Sequence, residues 1–227
     1  MTNKMRDKLI KKYLTKEIRT FNPEIDDKDL PLNKGIFTLL RKVQEFSQDN
    51  QKYLLNEILK IKSKTNVIVE IGVSRLYNKH YDQIQEIENT TRTTFDKSST
   101  SVILRSKNDS TKYLGIDIED KKFLELLKPN IYTLQARSED FEVVSNKFKE
   151  VGIEQIDFLF IDGWHSINQV IDELWYLQFM KPGGVIGFHD VNHHPGPKAI
   201  LESLNPDIFE IINYNTPDWG IGFAKIK

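Results

Sequence analysis

From Asn66 onward, short β-branched and aromatic runs alternate with helix-patterned segments, and that alternation leaves few folds open. The runs are Val67–Ile71, Tyr113–Asp117, Ile131–Leu134, Ile156–Ile161 and Val185–Phe188. The fourth is almost continuously apolar, which predicts a strand covered on both faces, as in a parallel sheet. Helical patterns at about 100–106, 119–128, 139–151 and 167–180 supply the crossovers between parallel neighbours. After the turn His194-Pro195-Gly196-Pro197, a short helix precedes two last runs at about 207–213 and 219–226. No helix separates those two, so they are expected to form an antiparallel hairpin. The expected class is α/β: a doubly wound, seven-stranded, mostly parallel sheet with a reversed last strand.

Residues 1–65 read as a helical N-terminal extension, ahead of a main domain over 66–227. Ile10, Tyr13, Leu14, Ile18 and Phe21 lie near a 3.6-residue period. A break runs from Asn22-Pro23 to Pro31. Phe37, Leu39, Leu40, Val43 and Phe46 mark a second helix, and Ser47 is placed to cap a third that carries Tyr53, Leu54, Leu55, Ile58, Leu59 and Ile61. The extension is expected to pack on the main domain; its alternatives are a lid or a contact in a homo-oligomer. Residues 75–99 are polar and interrupt a strand-to-helix turn, as a functional lid or a disordered insertion would.

Composition removes whole classes of function. With 32 basic and 33 acidic residues, nothing suggests a nucleic-acid surface or an electrostatic membrane anchor. No apolar run approaches the length of a membrane span, and the charged start MTNKMRDKLIKKYLTKE lacks a signal-peptide core. The absence of cysteine excludes disulfides, thiolate metal sites and a cysteine nucleophile. A cytoplasmic protein is the expectation.

In open parallel sheets, ligands bind beyond the carboxyl ends of the strands. Those ends carry Glu70-Ile71-Gly72-Val73-Ser74, Asp117, Ala136-Arg137-Ser138-Glu139-Asp140, Asp162-Gly163-Trp164-His165 and His189-Asp190. A glycine after the first strand lets backbone approach a ligand, and an acidic residue ending the second can accept both hydroxyls of a ribose. A nucleoside-containing cofactor fits. A dinucleotide fold would want G-x-G-x-x-G, whereas only Gly72 stands here.

The segments Val67–Ser74 and Tyr113–Asp117, the block IDFLFIDGWHSINQVIDELWYLQFMKPGGVIGFHDV (156–191) and Trp219–Phe223 resemble the class I S-adenosylmethionine-dependent methyltransferases. Within them, the likeness is to small bacterial O-methyltransferases and cephalosporin-hydroxylase-like proteins. It covers 66–227 and implies a Rossmann-like domain that methylates an oxygen of a small molecule or sugar. The resemblance implies a cofactor set of Glu70, Gly72, Ser74, Ser99, Asp117, Ser138, Glu139 and Asp162. Glu70 and Gly72 would lie at the methionine end, Asp117 on the ribose, and Ser138 with Glu139 by the adenine. The family's second and third glycines are missing here, and Ser98-Ser99-Thr100, a resumed helix start, offers hydroxyls in their place.

Catechol O-methyltransferases resemble the chain at the fourth and fifth strand ends. That likeness implies a divalent cation, Mg2+ or Mn2+, on Asp162, His189 and Asp190, with His165 as the base. Histidine titrates near neutrality, which suits the task. Each residue also admits a purely structural role: Asp162 as a helix cap, His165 as a satisfied polar residue, and Asp190, His193 and His194 as turn residues. Trp164 and Trp175 read as core. An oxidoreductase or hydroxylase-like enzyme on the same scaffold and a non-catalytic binding module remain alternatives.

Overall fold

The computed structural model describes residues 2–15, 48–73, 98–192, 194–214, 216 and 218–227. The expected second helix, the break at Asn22-Pro23, the Ser47 cap, Ser74, almost all of the 75–99 insertion and His193 lie outside the described residues.

Strands β1 (Val67–Ile71), β2 (Lys112–Asp117), β3 (Ile131–Gln135), β4 (Ile156–Ile161), β5 (Met180–His189), β6 (Phe209–Tyr214) and β7 (Ile221–Ile226) form one sheet in the order β3-β2-β1-β4-β5-β7-β6. The first five are parallel, and β7 runs antiparallel to both β5 and β6. The described helices are α1 (Asn3–Tyr13), α2 (Gln48–Ile61), α3 (Ser99–Ser106), α4 (Phe141–Val151), α5 (Ile167–Glu173) and α6 (Pro195–Ser203).

Side chains alternate across a strand, so each run of apolar residues feeds two cores. Val69 and Ile71 of β1 join Tyr13, Val144, Val170 and Ile200, from α1, α4, α5 and α6. Ile68, on the opposite face of β1, joins Phe158, Phe160, Leu54, Ile58 and Ile103, under α2 and α3. This explains why β1 and β4 are buried at every position and lack a polar face.

Three elements depart from the sequence pattern. The segment 119–128 yields only a 3-10 turn, Lys122–Leu126. The helix expected over 167–180 is α-helical to Glu173 and continues as a 3-10 helix, Leu174–Phe179. Strand β5 starts at Met180 rather than Val185: Met180 pairs with Ile156, and the register then shifts so that Val185 pairs with Phe158. Lys181-Pro182-Gly183-Gly184 bulges out between them, since Pro182 has no N–H for a ladder and Gly183 sits at φ 77°. The expected turn at 194–197 is the first turn of α6, with Pro195 at its start.

The first helix of the extension packs on the main domain. Tyr13 and Leu14 are buried, and Leu14 bridges to Leu204. Arg6 donates Nε to Asp172 Oδ1 at 2.6 Å and an Nη to Oδ2 at 2.8 Å, a bidentate pair between α1 and α5. Next to Asp172, Glu173 is fully buried, and its Oε1 accepts from Ser138 Oγ at 2.8 Å and Gln169 Nε2 at 3.3 Å. Burial pushes the Glu173 carboxyl up to about 8, against the pull of those two hydrogen bonds.

Arg6→Ala leaves the buried Asp172 carboxylate without its partner and should cost about 2–4 kcal/mol in denaturant unfolding. Glu173 keeps a proton in the folded chain that the unfolded chain releases near its ordinary value. Its contribution is therefore favourable below that value and is lost as pH rises toward about 8. Glu173→Gln should remove this loss, so the variant's melting temperature should gain on the wild type's between pH 5 and pH 8.5. A constant difference across that range would show that Glu173 does not titrate in this window.

Candidate functional site

The order of strands reverses between β1 and β4, the place where doubly wound sheets open a crevice. Gly72 lies there with φ 78°, and a Cβ on it would fall 2.0 Å from the carbonyl oxygen of Asp162. Its N–H donates to Ile116 O, while Asp162 N–H donates to Ile71 O. Gly72 is thus required by the packing of two strand ends, a reason beyond the ligand approach expected from sequence.

Glu70 turns toward α3 and is fully buried. It accepts hydrogen bonds from Ser99 Oγ (2.8 Å), Thr100 Oγ1 (3.1 Å) and Tyr113 OH (2.5 Å). Burial pushes its carboxyl up to about 8, even though all three donors favour the charged form. Ser98 caps α3 by accepting from Ser101 N–H, so Ser98-Ser99-Thr100 is the helix start that its composition suggested. Asp117 accepts from Val73 N–H and Glu119 N–H, both at 2.8 Å, one on each oxygen. Each oxygen keeps a second lone pair that a further donor could use. Burial raises Asp117, with those backbone donors and Lys121 opposing. Ser138 Oγ donates to Glu173, and Glu139 accepts from Gln169 at 3.0 Å.

Beyond β4 and β5, two carboxylates and two imidazoles alternate around a closed ring. Asp162 Oδ1 lies 2.8 Å from His189 Nδ1, which is 3.0 Å from Asp190 Oδ1. Asp190 Oδ2 lies 3.3 Å from His165 Nδ1, and His165 Nε2 lies 3.6 Å from Asp162 Oδ1. Asp190 is buried and holds φ 61°, a strained conformation for a non-glycine residue. Its expected alternative as an exposed turn residue is therefore corrected. Asp162 does not cap α5 either: Ser166 takes that place, accepting from Gln169 N–H. Burial disfavours a charge on His189, but Asp162 and Asp190 outweigh it and hold the ring well above its ordinary value. Burial likewise opposes charge on Asp162, and His189 and His165 hold it well below the usual carboxylate range.

This donor set fits a hard divalent cation. Adjacent donors around an octahedral ion with bonds of about 2.1 Å are about 3.0 Å apart, and the separations here are 2.8 and 3.0 Å. The single Nδ1 proton of His189 serves Asp162, so Asp190 Oδ1 is buried without a hydrogen bond. His189 can ligate only after that proton leaves.

Several residues of the site were not read from the sequence. His194, expected in an exposed turn, lies 3.5 Å from Asp190 Oδ2, and only its i+4 spacing from Asp190 signalled this. The side-chain amide of Asn50, on α2, lies 3.3 Å from His189 Nε2, a contact across 139 positions with no local signal. Trp164 was expected in the core but is 65% exposed, because it lies in the irregular segment leaving β4; Trp175 is buried as expected. Ile118, just past Asp117, is 71% exposed.

Residues 97–191 match a family model described as a methyltransferase domain. No curated protein sequence matches the chain. Among solved structures, the MycE methyltransferase of the mycinamycin biosynthetic pathway, solved with Mg and SAH, aligns with a TM-score of 0.55 and 15% identity over 77% of this chain and 48% of that one. The chain thus spans about half the length of MycE. The O-methyltransferase of Bacillus cereus with SAH aligns over 99% of this chain and 97% of that one, with 14% identity and a TM-score of 0.51. TomG of Streptomyces achromogenes with SAM gives 15% identity, 99% and 96% coverage and a TM-score of 0.54. The matched segment resembles a methyltransferase domain, and the sheet that carries it has the fold of these solved methyltransferases, as the strand-end motifs implied.

Proposed function

We propose that the chain transfers a methyl group from S-adenosylmethionine to an oxygen of a small-molecule or sugar acceptor, assisted by a divalent cation. The observation that carries this is the closed ring of Asp162, His189, Asp190 and His165 beside the β1–β4 crevice. The names of the neighbours lend support, since two are O-methyltransferases and MycE was solved with Mg. S-adenosylmethionine supplies an electrophilic methyl group on a sulfonium, and a divalent cation on Asp162, His189 and Asp190 supplies charge that makes a hydroxyl more acidic.

The chain's own residues do the rest. Asp117 accepts the ribose hydroxyls and fixes the cofactor's position along β2, while Ser138 and Glu139 border the adenine end. Asp190 holds His165 by Nδ1, in the way a carboxylate orients the base of a catalytic triad. His165 Nε2 is buried without a hydrogen bond, so it is placed to receive the acceptor's hydroxyl proton. The deprotonated oxygen then attacks in line, and the carbon–sulfur bond breaks to leave S-adenosylhomocysteine. Trp164, exposed next to His165, offers an apolar wall to the acceptor.

Calorimetric titration with S-adenosylhomocysteine tests the cofactor. Asp117→Ala should weaken binding about ten- to a hundredfold, the worth of a charged bidentate hydrogen bond of about 1.5–3 kcal/mol. Binding of NAD in place of S-adenosylhomocysteine would overturn the proposal in favour of a dehydrogenase. Asp162→Asn should abolish Mn2+ binding. Once an acceptor is found, His165→Ala should lower turnover about 10²–10⁴-fold with cofactor affinity unchanged.

A further inference from the structure

Asp190 divides its two oxygens between two different sets of partners. Oδ1 faces His189 and belongs with Asp162, whereas Oδ2 faces His165 Nδ1 at 3.3 Å and His194 Nε2 at 3.5 Å. The donor atoms of His165, Asp190 and His194 all lie within 4.8 Å of one another. We propose that these three residues form a second cation site, selective for Zn2+, whose occupation removes the base.

The spacing separates the two sets. Around a tetrahedral Zn2+ with bonds of about 2.0–2.1 Å, neighbouring donors are about 3.3–3.4 Å apart. The separations from Asp190 Oδ2 lie at that value, while those of the first set are shorter and suit an octahedral ion. Chemistry agrees with geometry. Two imidazoles and one carboxylate favour Zn2+ over Mg2+ or Mn2+, and three protein ligands leave a fourth tetrahedral position open.

The backbone holds the three residues in place. His194 N–H donates to Asp190 O at 3.0 Å, closing one turn that brings the i and i+4 side chains to one side. Asp190 N–H is held by Gly220 O, and Asn192 Nδ2 donates to Thr216 O and Asp218 O. Gly196 N–H donates to His165 O at 3.1 Å, and a Cβ at Gly196 would fall 2.4 Å from that oxygen, so only glycine lets the first turn of α6 meet the loop after β4. The His194 ring is stacked on Trp219 at 5.6 Å and lies 4.6 Å from the ring of His165.

The consequence for activity rests on the proposed methyl transfer. Zn2+ on His165 Nδ1 displaces Asp190 from that nitrogen and keeps the remaining ring proton on Nε2, the atom that must be free to accept one. Zinc is thus an inhibitor that acts through the base and leaves the cofactor's contacts untouched.

The test uses the full chain and its variant His194→Phe, which keeps a ring against Trp219 but deletes the donor nitrogen. Titration with ZnCl2 should show a site in the wild type that the variant lacks. Affinities for MnCl2 and S-adenosylhomocysteine should be the same in both. Crystals soaked in ZnCl2 should show an anomalous peak about 2.0–2.2 Å from the His165, Asp190 and His194 donor atoms. If the phenylalanine lowers the melting temperature, His194→Gln serves in its place. Zinc uptake unchanged in these variants, a zinc peak only on Asp162 and His189, or no zinc uptake by the wild type would each overturn the site. Failure to bind S-adenosylhomocysteine would instead overturn the methyl-transfer proposal and leave the zinc result standing.

Discussion

The contact between Gly72 and the Asp162 carbonyl sets the geometry of everything beyond the strand ends. Only a residue without a side chain, at positive φ, lets the loop after β1 pass against the loop after β4. That passage fixes where Asp162 leaves its strand, and with it the carboxylate that His189 and His165 face. The Asp117 carboxylate secures the same junction from the other side by holding Val73 N–H. The residues proposed for the cofactor and those proposed for the cation are therefore not separate modules. They share one backbone junction, and a disturbance there reaches both.

Much of the sheet was legible in the sequence, because parallel strands buried on both faces must be apolar nearly throughout. The five parallel runs and the closing hairpin needed no long-range information. What escaped was determined by partners distant along the chain. The bulge at Lys181–Gly184 lengthens β5 only because Met180 finds Ile156. Trp164 looked like core because large aromatics usually are, yet the segment leaving β4 carries it outward. The Asp/His ring was legible in part: Asp162, His165, His189 and Asp190 stand at strand ends, where chemistry is expected. His194 and Asn50 stand in a loop and on a helix, and neither place announces a role.

The N-terminal extension holds the sheet on both faces. Helix α1 is tied to α5 through Arg6 and Asp172 and joins one core, whereas α2 lies on the other and brings Asn50 to His189. A segment outside the strand-end motifs nevertheless touches a ring nitrogen of the candidate cation site.

The position of β7 has a bearing on how the site comes into being. This strand is the last in sequence, yet it lies between β5 and β6, which cannot pair with one another without it. The turn that holds Asp190 and Asn192 in place is likewise fastened to Trp219 and Gly220, at the threshold of β7. During synthesis, the residues of β1 to β5 leave the ribosome before those of β6 and β7. The loop that presents Asp190 acquires its anchor only when those residues emerge. On the proposed function, the residues assigned to the nucleoside are therefore made before the turn that presents Asp190 can be fastened.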